Sequence, residues 1–209
     1  MYAAMNMPDD PELVSRGVQS TVGLLTGVLV YGTAFGGLFA LVFAFAYGRM
    51  GSLGPRATSA LLALIAFVTL VLVPDLKYPA NPPSVGHPDT IGFRTEWFFM
   101  MMVISIAAMT LALSARKALV ERYGVWNAAI SGGILFVAII AAAQLLLPTI
   151  NEVPTDFPAA TLWNFRIAAL GIQLVLWTVL GLGFGVFAER VLLGRPSARR
   201  YPADGLTSR

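Results

Sequence analysis

Cysteine is absent from the 209-residue chain, and histidine occurs once, at His87. The first absence removes disulfides, thiolate metal sites and thiol nucleophiles. The second excludes a bis-histidine haem held within the chain, and a zinc-enzyme site built on two or three histidines. Charge is also scarce. Asp, Glu, Lys and Arg make up 12% of the residues, against roughly 25% in a soluble domain. There is no GxxxxGK(S/T) phosphate loop, GxSxG elbow or HExxH helix, so no familiar enzyme signature is present and a non-enzyme is expected. The N-terminal MYAAMNMPDDPELVSRG lacks the basic-then-apolar order of a signal peptide and reads as a polar tail.

What is present in abundance is apolar sequence, 57% of the chain. That composition, with so little charge, reads as a polytopic membrane protein. A helix needs roughly 20 mostly apolar residues to cross the hydrocarbon. The runs predict an all-α, polytopic transmembrane bundle of about five helices, near 18–47, 57–73, 97–115, 126–147 and 162–193. They form a single membrane domain, 1–209, with polar tails at 1–17 and 194–209.

The basic residues give an orientation. Arg49, Arg56, Arg116, Lys117, Arg122, Arg190, Arg195, Arg199, Arg200 and Arg209 fall on one side if five helices alternate. Only Arg16, Lys77, Arg94 and Arg166 fall on the other. Positive charge marks the cytoplasmic face. The expectation is an N-terminus outside and a cytoplasmic C-terminus, in the cytoplasmic membrane of a prokaryote. The isoelectric point near 9.5 therefore reports topology, and no nucleic-acid partner is expected.

One segment, PDLKYPANPPSVGHPDTIGFRTEW (74–97), interrupts the apolar pattern with five of the thirteen prolines. A second Pro-rich loop, INEVPTDFPA, follows helix four, and both loops lead to an arginine near the start of the next helix. A weak helix–loop–helix repeat would put both loops on the outer face; proline stopping helices at membrane edges accounts for the same punctuation. Together the loops carry Asp75, Asn81, His87, Asp89 and Glu96, then Asn151, Glu152, Asp156 and Asn164. Carboxylate, amide and a single imidazole form a hard-to-borderline ligand set suited to a divalent cation. Asp75, His87 and Asp89 are the candidate metal ligands, with Pro88 stiffening the last two. Taken singly, each is more simply a solvated loop residue.

Four further polar residues are candidates for a pathway or for helix pairing. Arg166 lies about a turn inside helix five, where an unpaired charge is costly, so Glu96 or Asp156 is expected beside it. Gln173 follows two turns later with Trp177 beyond it, and Gln144 is the second intramembrane amide; such amides line paths or join helices. Met100, Met101 and Met102 cannot share one helical face and read as packing. Glycines at 23, 27, 32, 36 and 37, and at 171, 181, 183 and 185, predict close helix approach.

LVPDLKYPANPPSVGHPDTIGFRT closely resembles the signature of the CbtA family, probable cobalt transporter subunits. SRGVQSTVGLLTGVLVYGTAFGGLFALVFAFAYGR and FPAATLWNFRIAALGIQLVLWTVLGLGFGVFAER resemble its flanking helices. The resemblance implies a membrane subunit for uptake of Co²⁺ linked to cobalamin synthesis, without a cofactor of its own. It implies a small single-helix CbtB-like partner, beside membrane lipid and other membrane subunits. The alternative is a non-transporting structural subunit of a larger complex. Two features depart from the family. Its members generally begin with another apolar helix, which is not seen before SRGVQS, and they commonly carry an acidic residue where His87 stands. Glu96 is also unusual. Imidazole in place of carboxylate would favour softer borderline ions and add pH sensitivity.

Overall fold

A computed structural model describes residues 14–83, 85, 86 and 88–194. The chain divides after Gly51 into two compact units, each taken by itself. The first holds α1, Arg16–Ala46. After the α-helical residues Arg16–Val18 it is π-helical over Gln19–Gly23. The hydroxyls of Ser20 and Thr21 both donate to the Gly17 carbonyl, at 3.2 and 2.7 Å. Hydroxyls returning to the preceding turn loosen regular helix geometry.

The second unit holds α2 (Pro55–Lys77), a 3₁₀ turn (Pro88–Thr90), α3 (91–123), α4 (125–146) and α5 (Ala159–Leu193). Helix α2 begins with Pro55 in its first turn, where the missing N–H costs nothing. It carries a second proline, Pro74, in its interior. A proline ring clashes with the carbonyl four residues earlier. That carbonyl belongs to Leu70, inside a π-helical stretch, Phe67–Leu72. The widened turn accommodates the ring, and the helix continues to Lys77.

Helices α3 and α4 form one 56-residue helical run, broken at Gly124. Unbroken, that run would be about 84 Å long at 1.5 Å per residue. Gly124 has φ 77° and ψ 166°, a backbone region open essentially to glycine alone. The arms fold back on each other. A Cβ at Gly132 would lie 2.8 Å from the Ala112 carbonyl oxygen. Met101, Ala108, Ile140, Ala143 and, from α2, Val73 form a buried cluster along the arms. Here the structure extends the predicted boundaries: α3 starts at 91 instead of 97 and runs to 123 instead of 115. The segment ARKALVERY is made largely of good helix formers, so a polar stretch expected as loop is helix.

Helix α2 divides its contacts. Its first half packs on α5, the π stretch touches α3–α4 and α5, and 73–77 lies on α3–α4. The α2–α5 crossing is built from small residues. Gly181 lies against Ala63, and a Cβ at Gly185 would meet Arg56 and Ser59 at 3.1–3.2 Å. The Ser59 hydroxyl donates to the Gly181 carbonyl at 2.6 Å. Arg56 and Glu189 close the end of the crossing with an ion pair of 2.6 Å.

The surface is the inverse of a soluble protein's. Large apolar side chains face outward, with Leu41 70%, Phe45 72% and Leu145 85% exposed. Small and hydroxyl residues such as Ser59, Ala108, Ser105 and Ala128 are buried. Lipid provides no hydrophobic drive between helices, so close backbone packing takes its place. Four helical runs are long and apolar enough to cross a membrane among the described residues. The chain is an all-helical, multi-pass membrane protein.

Candidate functional site

Both Pro-rich loops lie at one end of the second unit, held there by four side chains, three from helices and one, Tyr78, from the residue that follows α2. Lys77, the last residue of α2, donates to the Gln144 carbonyl on the last turn of α4 at 2.6 Å. Tyr78 donates its hydroxyl to the Pro148 carbonyl at 2.9 Å. Burial pushes the Tyr78 pKa up, which keeps the phenol a donor. Arg166, about two turns into α5, donates from Nε to the Ala80 carbonyl at 3.2 Å. Its Nη2 donates to Asn81 Oδ1 at 2.9 Å. Arg94, in the first turn of α3, pairs with Glu152 of the second loop, Nε to Oε2 3.3 Å.

Gly86 sits against this last pair with φ 108°, and a Cβ there would fall 2.7 Å from Arg94 Nη1 and 2.9 Å from Glu152 Oε2. The positive φ favours glycine here, and an added Cβ would also displace the ends of these two side chains.

The candidate residues fall into distinct settings. Asp75 is half-buried under the first loop, its Oδ1 accepting the Ala80 N–H at 3.3 Å, with the Arg166 charge acting on it. Asp89 is exposed in the 3₁₀ turn. His87 lies outside the described residues, as does most of the expected N-terminal tail. Glu96 is exposed on α3, and Asp156 is exposed in the second loop. Neither Glu96 nor Asp156 is the bonded partner of Arg166, which is taken by Ala80 and Asn81 instead. The reason is that the first loop folds back over the start of α5 and brings uncharged oxygens within its reach. Gln144 contributes its backbone carbonyl to Lys77. Gln173 is exposed on α5, while Trp177, one turn on, is buried near the α2 crossing. Among the described residues no three His, Cys, Asp or Glu side chains are grouped to hold a metal ion.

Three ties were not apparent from sequence: Lys77 to Gln144, Tyr78 to Pro148, and Arg94 to Glu152. Two of them end on backbone carbonyls, which carry no residue signature. The third had a visible cue in the matched loops after LVLVP and LLLP, whose pairing puts Arg94 and Glu152 on the same end.

Between the first loop and α3 lies a cleft of about 390 Å³. Its walls include Tyr78, Asn81, Arg94 and Thr95 on the polar side, and Ile91, Phe98 and Ile150 on the apolar side.

Residues 3–189 match the family described as probable cobalt transporter subunit (CbtA). No curated protein and no solved structure matches the chain.

Proposed function

Because the chain belongs to the CbtA family of probable cobalt transporter subunits, we propose that it is the membrane-spanning subunit of a cobalt uptake system. Family membership over most of the chain carries this reading. The system sits in a prokaryotic cytoplasmic membrane and serves cobalamin synthesis. The Pro-rich end faces outward, as the basic residues direct. Co²⁺ is the cargo, and Asp75, His87 and Asp89 are the proposed ligands that receive it. Asp89 at the exposed end of the loop supports first contact. Asp75, already engaged by Ala80 N–H, lies deeper under the same loop. The membrane potential favours inward movement of a divalent cation by about 4.6 kcal/mol at 100 mV, twice the single-charge value. The chain itself is non-catalytic, and a small single-helix CbtB-like subunit completes the system.

A second reading is a structural subunit without its own cation path. The observation favouring it is that most charged groups at the Pro-rich end are committed to loop ties. Accumulation of radioactive cobalt in cells lacking their own importers separates the two. The chain, alone or with the small partner, is expected to raise cobalt accumulation several-fold. No rise in either case, with the protein shown to be in the membrane, would establish the structural reading.

A further inference from the structure

We propose that the cleft between the first Pro-rich loop and α3 is an oxyanion site, receiving a carboxylate or phosphate carried on a body with an apolar edge. Its volume of about 390 Å³ falls within the roughly 300–1,000 Å³ of small-molecule sites. Among the described residues Arg94 is the charged one in its walls, and no carboxylate lines it. A guanidinium offers five N–H donors in a planar fork. The Glu152 contact occupies the Nε side at 3.3 Å, without satisfying Nε as a hydrogen bond. Glu152 itself is not part of the wall.

The neighbouring polar groups point the same way. Asn81 accepts from Arg166 through Oδ1, so its amide nitrogen is left to donate. Thr95 adds a hydroxyl. Arg166 and Lys77 are bonded to neutral oxygens, those of Ala80, Asn81 and Gln144. None of Lys77, Arg166, Asp75 and Glu152 is among the walls of the cleft, where Arg94 is the charged group among the described residues. Asp89 and Glu96 stand nearby but are exposed, where water screens them. A bare cation entering the cleft meets hydrogen-bond donors and the Arg94 guanidinium, with no carboxylate among the described walls. An oxyanion meets donors suited to it, and Ile91, Phe98 and Ile150 receive its carbon body.

Two sources share this chemistry: the phosphate of an anionic lipid headgroup, and the carboxylate of a water-soluble organic acid. The full chain in phosphatidylcholine nanodiscs is tested with radiolabelled benzoate, a carboxylate on an apolar ring, and separately for retained phosphatidylglycerol by native mass spectrometry after delipidation. Two variants accompany it. Arg94→Gln combined with Glu152→Gln removes the cation without stranding its carboxylate. Ile91→Trp fills the mouth from an exposed position and leaves every tie in place. Benzoate retained by the parent and weakened at least tenfold in both variants identifies the soluble source. Phosphatidylglycerol retained by the parent and lost from both variants identifies the lipid source. Retention of neither probe, or retention unchanged in both variants, overturns the proposal. Cobalt accumulation plays no part in this test, so its outcome stands apart from the transport reading.

Discussion

Arg166 is the residue on which the Pro-rich end most depends. It holds the Ala80 carbonyl and the Asn81 side chain, and it neighbours Asp75. Hydrogen bonds from a charged donor contribute about 1.5–3 kcal/mol each in favourable settings, and partial exposure lowers that here. Arg166→Ala is expected to destabilise the protein by about 2 kcal/mol, read as a fall in melting temperature in detergent. Arg166→Lys should recover little, because an ammonium cannot span a carbonyl and an amide as the planar fork does. Gly86→Ala should act on the same end through its positive φ, with a loss of about 1–3 kcal/mol. The importance of Arg166 was legible in the sequence, since a charge one helical turn into an apolar run demands a partner. The partner was not, because a carbonyl and an amide brought over by loop folding have no spacing rule.

At the scale of elements, glycine sorts into positions that pack and positions that do not. Gly132 and Gly181 are closed against a neighbouring helix, while Gly171 and Gly183 have open space where a Cβ would go. Gly132→Ala and Gly181→Val are each expected to cost about 1–3 kcal/mol by overpacking, measured as loss of folded protein on heating in detergent. Gly171→Ala, the matched control, should be neutral or slightly stabilising. Ser59→Ala should cost only about 0.6 kcal/mol, the average for such bonds between membrane helices. The sequence showed the glycines as a group but not which of them meet a neighbour, because that follows from the fold-back at Gly124 for Gly132 and from the α2 crossing for Gly181. Helix existence was legible from the apolar runs. The extent of α3 was not, because its polar end is built from helix formers and only Gly124 stops it.

For the whole molecule, the account requires the Pro-rich end to face outward. The absence of native cysteine makes this directly testable with single introduced thiols. Asp89→Cys should react with a membrane-impermeant maleimide in intact cells, and Lys117→Cys only after permeabilisation. The reverse pattern would invert the topology and the proposed direction of transport. All-helical membrane architecture and family were both readable from the chain. The arrangement of the candidate ligands was not: Asp75, expected in the loop, lies on the last turn of α2, because the widened turn ahead of Pro74 lets that helix continue to Lys77, whereas Asp89 lies in the 3₁₀ turn.

The most direct test of cobalt handling at this loop is cobalt accumulation by a His87→Ala/Asp89→Ala variant, compared with the parent chain at equal membrane level and with the same partner subunits. The account predicts that accumulation falls at least several-fold in the variant, while Asp156→Ala, exposed in the second loop, accumulates as the parent does. Equal cobalt accumulation by the His87→Ala/Asp89→Ala variant and the parent would contradict capture at the Pro-rich loop.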